Sequence, residues 1–176
     1  MIYYQSKYLA EKLDINLAKW KRWSRSFLPP DPLGGLQSGV ARQFTLKEAF
    51  KVYFGGYMVA RLKFTIPEAQ RILNDLSPWL RSHGYFQFQA ENHRSDGRKA
   101  SEERHLVYIH PTANGRFAYS LRSLHCCGPA DARRKEIYDQ TLVHTDKDPL
   151  IEGCGLSAQV VAVSALYHKF LEGLDV

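Results

Sequence analysis

Apolar positions in the first half of the chain recur every three or four residues, and from Tyr85 onward they alternate. Helices are therefore predicted first and strands second. A first helix is predicted over residues 6–13, with Ser6 as its cap and Leu9, Ala10 and Leu13 as a narrow apolar stripe. Asp14, Ile15 and Asn16 interrupt the period, and Asn16 suits the N-cap of a second helix over residues 17–28. There Leu17, Trp20, Trp23 and Phe27 fall on one face. Lys19, Arg22 and Arg25, with Ser26, fall on the other, and Lys21 sits at its margin. The spacing of Trp20 and Trp23 assigns them to packing rather than to stacking on bases.

Pro29, Pro30 and Pro32 end the second helix, because proline cannot continue the hydrogen-bond ladder. Residues 33–39 read as a flexible excursion, and residues 40–44 as an extended return that carries Arg42 and Gln43. Thr45 and Glu48 match the capping box Ser/Thr-x-x-Glu and open a third helix predicted to reach Leu62. Gly55-Gly56 predicts a bend or break within it, since each glycine costs about 1 kcal/mol against alanine in a helix. Thr65 and Glu68 form a second box, with Pro67 in the first turn, and that helix is predicted to run to about Trp79-Leu80. Two helices joined by a turn of about three residues, the second with a cationic face, predict a helix-turn-helix; the extended return is placed as its wing.

In the second half, residues 85–90, 104–110, 116–121 and 136–143 alternate as half-buried strands do. Ser95-Asp96-Gly97-Arg98 predicts a turn, and Pro111 to Gly115 a hairpin-type connection, so the strands form a small antiparallel sheet. Leu156, Val160, Val163, Leu166, Phe170 and Leu174 recur at helical spacing and predict an amphipathic helix over residues 155–174. Covering the sheet of its own chain is the favoured role for this helix, and pairing with a second copy is the alternative. The expected architecture is α+β: an N-terminal helical domain over residues 1–82, and a sheet with a C-terminal amphipathic helix over residues 83–176.

Charge separates the same halves. Up to Gly84 there are 13 Lys and Arg against 6 Asp and Glu, a net of +7, while the remainder nets −1. A surplus confined to one half is expected where that half meets a polyanion. At 176 residues, 44% hydrophobic and 24% charged, the chain can bury a core. The N-terminus lacks the pattern of a signal peptide, and no run of about 18 apolar residues occurs, so a cytoplasmic, non-membrane protein is expected. Cys126, Cys127 and Cys154 lack zinc-type spacing. A three-thiolate site with His125 nearby is the sharper reading of these cysteines, and small buried hydrophobes the favoured one. No metal or cofactor is expected, and no motif fixes an orienting group or oxyanion site for a Cys/His enzyme.

Phe27-Leu28-Pro29-Pro30, Gly39-Val40-Ala41-Arg42-Gln43-Phe44-Thr45-Leu46-Lys47-Glu48 and Thr65-Ile66-Pro67-Glu68-Ala69 follow the helix opened by Asn16 in a fixed order. In this order and spacing, residues 4–80 resemble the DNA-binding domain of MerR-type regulators, a winged helix-turn-helix. Val40 stands where that family has a wing tyrosine, residues 31–38 lengthen the wing loop, and the family's long dimerisation helix does not follow Trp79. The resemblance implies that Lys19, Lys21 and Arg22 lie on the recognition helix and that Arg42 is the wing arginine touching the phosphate backbone. With Arg25 and Gln43 these are the candidate DNA-binding residues. The function expected is a double-stranded-DNA-binding transcriptional regulator, in which a homodimer would read a palindrome. The alternative is a protein-docking or scaffold module of a phage or secretion assembly.

Overall fold

The computed structural model describes residues 2–31, 42–86, 104–112, 114–127, 135–149, 151 and 157–176. Its element order is β1 (Tyr4–Gln5), α1 (Ser6–Lys12), α2 (Leu17–Phe27), β2 (Gln43–Phe44), α3 (Leu46–Ala60), α4 (Ile66–Ser82), β3 (Arg104–Pro111), β4 (Phe117–Cys127), β5 (Lys135–Val143), β6 (Gln159–Ala162) and α5 (Val163–Gly173). The class is α+β, with five helices and two antiparallel sheets among the described residues. The chain divides into two compact units, Met1–Asn92 with Lys169–Val176, and His93–His168.

In the first unit α1 and α2 form where the apolar period predicts them, but their caps differ. The residue before α1 is Gln5, which makes no side-chain cap, so Ser6 is the first helical residue rather than the cap. Asn16 does cap α2, its side-chain oxygen accepting from the amides of Ala18 at 2.9 Å and Lys19 at 3.3 Å. Between the helices Asp14 takes a left-handed conformation (φ 51°), and the Ile15 amide donates to Ala10 O at 2.8 Å, which closes the turn. Both predicted capping boxes are complete, Thr45 with Glu48 on α3 and Thr65 with Glu68 on α4.

The predicted break at Gly55-Gly56 does not occur: α3 runs through both residues to Ala60. A Cβ on Gly55 would lie 2.6 Å from the Phe27 ring, and one on Gly56 would collide with the Trp23 ring. The glycines thus admit α2 to close contact with α3, and the packed rings compensate the lost helix propensity. Trp20, Phe44, Phe50, Phe54, Met58, Ile72, Leu73, Leu76 and Leu80 form the buried centre of this unit. The helix α4 ends at Ser82, and Gly84 takes φ 81°, which lets the Tyr85 amide return to Leu80 O at 3.0 Å. Tyr85 and Phe86, predicted to start a strand, are therefore buried in the turn after α4; the rest of that prediction, residues 87–90, lies outside the described residues. The turn at residues 95–98 and the whole of the excursion at residues 33–39 also fall outside them. The extended return survives as β2, which pairs with β1, placing Phe44 opposite Tyr4 and Gln43 opposite Gln5.

In the second unit the strands pair antiparallel in the order β5-β4-β3-β6. Register places Val107, Tyr119, Leu121 and Val161 on one buried face, and Leu106, Tyr108, His110, Ser120 and Arg122 on the other. The helix predicted over residues 155–174 is corrected in its first part. Gln159–Ala162 is a strand, with Ala162 opposite Leu106 and Val160 opposite Tyr108. Val160 and Val161 are β-branched and the edge of β3 satisfies their backbone, so the ladder outcompetes the helix. The helix α5 follows, and its last part belongs to the first unit. There Phe170 packs on Phe50 and Tyr53 with ring centroids 5.3 and 5.4 Å apart, and Lys12 pairs with Asp175. The end of this helix thus finds its apolar partners on α3, where a cover for the sheet was predicted.

Candidate functional site

The segment that makes α2 has two strongly different sides. Trp20, Trp23, Ser24 and Phe27 are buried, with Trp20 meeting the Phe44 ring edge-on at 5.8 Å. The two indoles are core, as their spacing predicts. Lys19, Lys21, Arg22 and Arg25 are all exposed and spread over the opposite arc. At 1.5 Å of rise per residue they span about 9 Å along the helix axis. No acidic residue occurs within Leu17–Phe27, and none of these four cations makes an ion pair among the described residues. Arg25 Nε donates to Lys21 O at 3.2 Å and Ser26 Oγ to Arg22 O at 3.1 Å. Both bonds return to the helix's own backbone and leave the charges uncompensated. The result is a convex cationic surface on a rigid, well-anchored helix.

Gln43 is exposed on the short β1–β2 ribbon. Arg42 is placed differently from the other candidates, for its side chain is only 16% exposed and committed inside the unit. Its guanidinium donates to Pro29 O at 2.9 Å, lies 3.8 Å from Glu48 Oε1, and sits 5.6 Å from the centre of the Phe44 ring. It ties the end of α2 to the capping box of α3, and the structure does not bring it into the cationic arc as a projecting phosphate ligand.

Sequence reasoning missed a second arrangement, inside the other unit. Asp148 is buried and accepts from Ser120 Oγ at 3.2 Å on one oxygen, and from Arg122 at 3.1 Å and Gln140 at 2.6 Å on the other. Ser120 Oγ also lies 3.3 Å from His110 Nε2, and the Arg122 guanidinium sits 4.7 Å over the Tyr108 ring. Because an ionised carboxylate can only accept, the serine proton points to Asp148 and the serine oxygen accepts from a protonated Nε2 of His110. That leaves His110 Nδ1 buried without a hydrogen-bond partner among the described residues. Burial pushes the His110 pKa below its ordinary value, and Arg122 does the same, against the pull of Asp148. The three residue types of a hydrolytic triad are here, in a different order: the serine lies between the base and the acid, is fully buried, and its hydroxyl proton is engaged by the Asp148 carboxylate instead of the histidine. The arrangement therefore clamps the segment after β5 to the sheet. A serine in the apolar centre of β4 was the available sequence signal.

Among the described residues no group of three His, Cys, Asp or Glu side chains could hold a metal ion. The side chains of His125, Cys126 and Cys127, and Cys154 itself, lie outside them, and with them the thiolate reading. No helix among the described residues is long and apolar enough to cross a membrane. The sequence matches no protein-family model and no curated protein.

Proposed function

We propose that the first unit binds double-stranded DNA with the exposed side of α2, and that the protein is a DNA-binding regulator rather than an enzyme. The observation that carries this reading is the set Lys19, Lys21, Arg22 and Arg25, held on the outer arc of a helix whose inner arc is buried, with no ion-pair partner among the described residues. An exposed helix of this kind fits the major groove, about 12 Å wide. Lysine and arginine neutralise phosphates, and arginine also grips a guanine edge through two hydrogen bonds. The α1–turn–α2 geometry, capped by Asn16, and the resemblance to MerR-type DNA-binding domains support a helix-turn-helix with α2 as the reading helix. Gln43 flanks this surface in the proposal, and Arg42 positions the chain that carries Gln43 instead of contacting a phosphate itself.

A gel shift with random-sequence duplex tests the reading. Retention at low salt that is lost at high salt is the expected outcome, since released counterions drive such binding. No retention at low salt contradicts it. Selection from a random DNA pool then reports the target, and a palindromic one would show that two copies bind together.

A further inference from the structure

Residues 144–149, which follow β5, join neither a strand nor a helix, yet Asp148 and Pro149 among them are buried. The chain turns off the strand at His144, whose φ is 61°. Side chains then attach the segment to the sheet. Asp148 reaches Ser120 and Arg122 of β4 and Gln140 of β5, at 3.2, 3.1 and 2.6 Å. Ser120 continues the hydrogen bonds to His110 of β3, 3.3 Å away. One carboxylate thus gathers groups from three strands, and its far end is a histidine only 1% exposed.

This network fixes the protonation state of that histidine. The Ser120 proton goes to Asp148, so the serine oxygen accepts from His110 Nε2 and the ring is neutral, with a bare Nδ1. A second proton would place a buried N–H at Nδ1, which has no acceptor among the described residues. The charge would also arrive beside Arg122, while the Asp148 oxygens that could balance it are already engaged by Ser120, Arg122 and Gln140. Arg122 and Asp148 are the charged groups that act on the ring. On the segment itself, His144 is turned to Phe117 O and the Tyr119 ring, and Asp146 and Lys147 are exposed. The strand β6 carries no ionisable side chain. Burial and Arg122 together outweigh the attraction of Asp148, so the closed arrangement resists the proton.

We propose that His110, Ser120 and Asp148 form an acid-sensitive latch: protonation of His110 detaches residues 144–149 from the sheet while the four strands stay paired. Opening gives Nδ1 access to water and releases Arg122, stacked on Tyr108, from its carboxylate. The open form takes up the proton at the ordinary value of 6.5 and the closed form at a lower one. Acid therefore draws the equilibrium toward the open form between those two values and no further below them. This inference stands apart from the reading of α2 and holds whether or not α2 meets DNA.

Hydrogen exchange on the full chain, corrected for the intrinsic effect of pH on amide exchange, measures the opening. From pH 6.5 to 5.5 the opening equilibrium of residues 144–149 should rise severalfold, with a ceiling of about tenfold per pH unit, while β3 and β4 keep their protection. An NMR titration of the histidine rings should place the His110 midpoint below 6.5. His110→Gln keeps a donor for Ser120 but cannot charge, so its opening should be independent of pH. His144→Gln, the control for the histidine on the segment itself, should keep the parent's pH dependence. Three results would each overturn the proposal. They are a His110 midpoint at or above 6.5, an opening that does not rise in acid, and loss of protection in β3 and β4 in step with the segment, which would mean that acid unfolds the whole sheet. If His110→Gln fails to fold, the ring midpoint and the exchange pattern of the parent decide the matter alone.

Discussion

Gly55 of α3 packs directly against the ring of Phe27 of α2, so near that a single added methyl carbon would sit 2.6 Å from it. The next residue, Gly56, stands in the same relation to Trp23. The buried side of α2 is therefore seated directly on the backbone of α3, and this contact fixes which side of α2 faces outward. Gly55→Ala should lower stability by about 1–3 kcal/mol, because overpacking outweighs the gain of up to about 1 kcal/mol in helix propensity. Urea denaturation measures the change. A neutral or stabilising result would show that the helices can part at no cost.

The two capping boxes give a second expectation. Thr45→Ala and Thr65→Ala should each cost about 1 kcal/mol, with the helix content of the rest of the protein retained. The Glu68 carboxyl is held below the usual carboxylate range by the backbone amide and the hydroxyl of Thr65. Its contribution is complete above the unfolded carboxylate pKa and is lost as the pH falls through the lower folded value. The gap between the thermal melts of Thr65→Ala and the parent should accordingly narrow in acid, where the bonds to the Glu68 carboxylate are lost and the bond from the Glu68 amide to the Thr65 hydroxyl remains.

His110 sets a pH dependence at higher pH. Burial favours its neutral ring, so its folded pKa lies below the ordinary 6.5. Below that pH the unfolded chain takes up a proton that the folded protein resists, and stability falls as the pH drops further until the folded ring also protonates. Melting temperature should decline between pH 7.5 and 5.5, and His110→Gln should flatten that part of the profile. An unchanged slope in the variant would place the titration elsewhere.

Arg42 separates a structural from a DNA-contacting role. Removing it leaves Pro29 O without its donor and frees the Glu48 carboxylate. Arg42→Ala should cost about 1 kcal/mol of stability by denaturant titration while the salt slope of DNA binding stays where it was. A slope reduced by about 0.9 at full stability would restore Arg42 as a phosphate contact.

What could be read from the sequence follows the range of the forces involved. The capping boxes, the Asn16 cap and the two sides of α2 are set by residues within a turn or two, so spacing alone shows them. Gly55-Gly56 reads as a break because its true reason, the rings of Trp23 and Phe27, comes from another helix. Val160 and Val163 fit a helical period as well as an alternating one, and the pairing with β3 that decides between them is distant in sequence. Arg42 carries the same charge in either role. Its tether to Pro29 and Glu48 exists only once α2 and α3 have packed. Asp148 follows β5 without a motif, and its partners Ser120, Arg122 and Gln140 come together through the register of two strands.

The most direct measurement is the salt dependence of duplex binding, by fluorescence anisotropy, for the parent chain and for Lys19→Ala/Lys21→Ala/Arg22→Ala/Arg25→Ala. If the outer arc of α2 meets the phosphate backbone, log K falls linearly with log salt for the parent. The variant's slope is then shallower by up to about 3.6, four contacts at about 0.9 each, with melting behaviour preserved. A folded variant that binds duplex with the parent's affinity and slope would contradict the account.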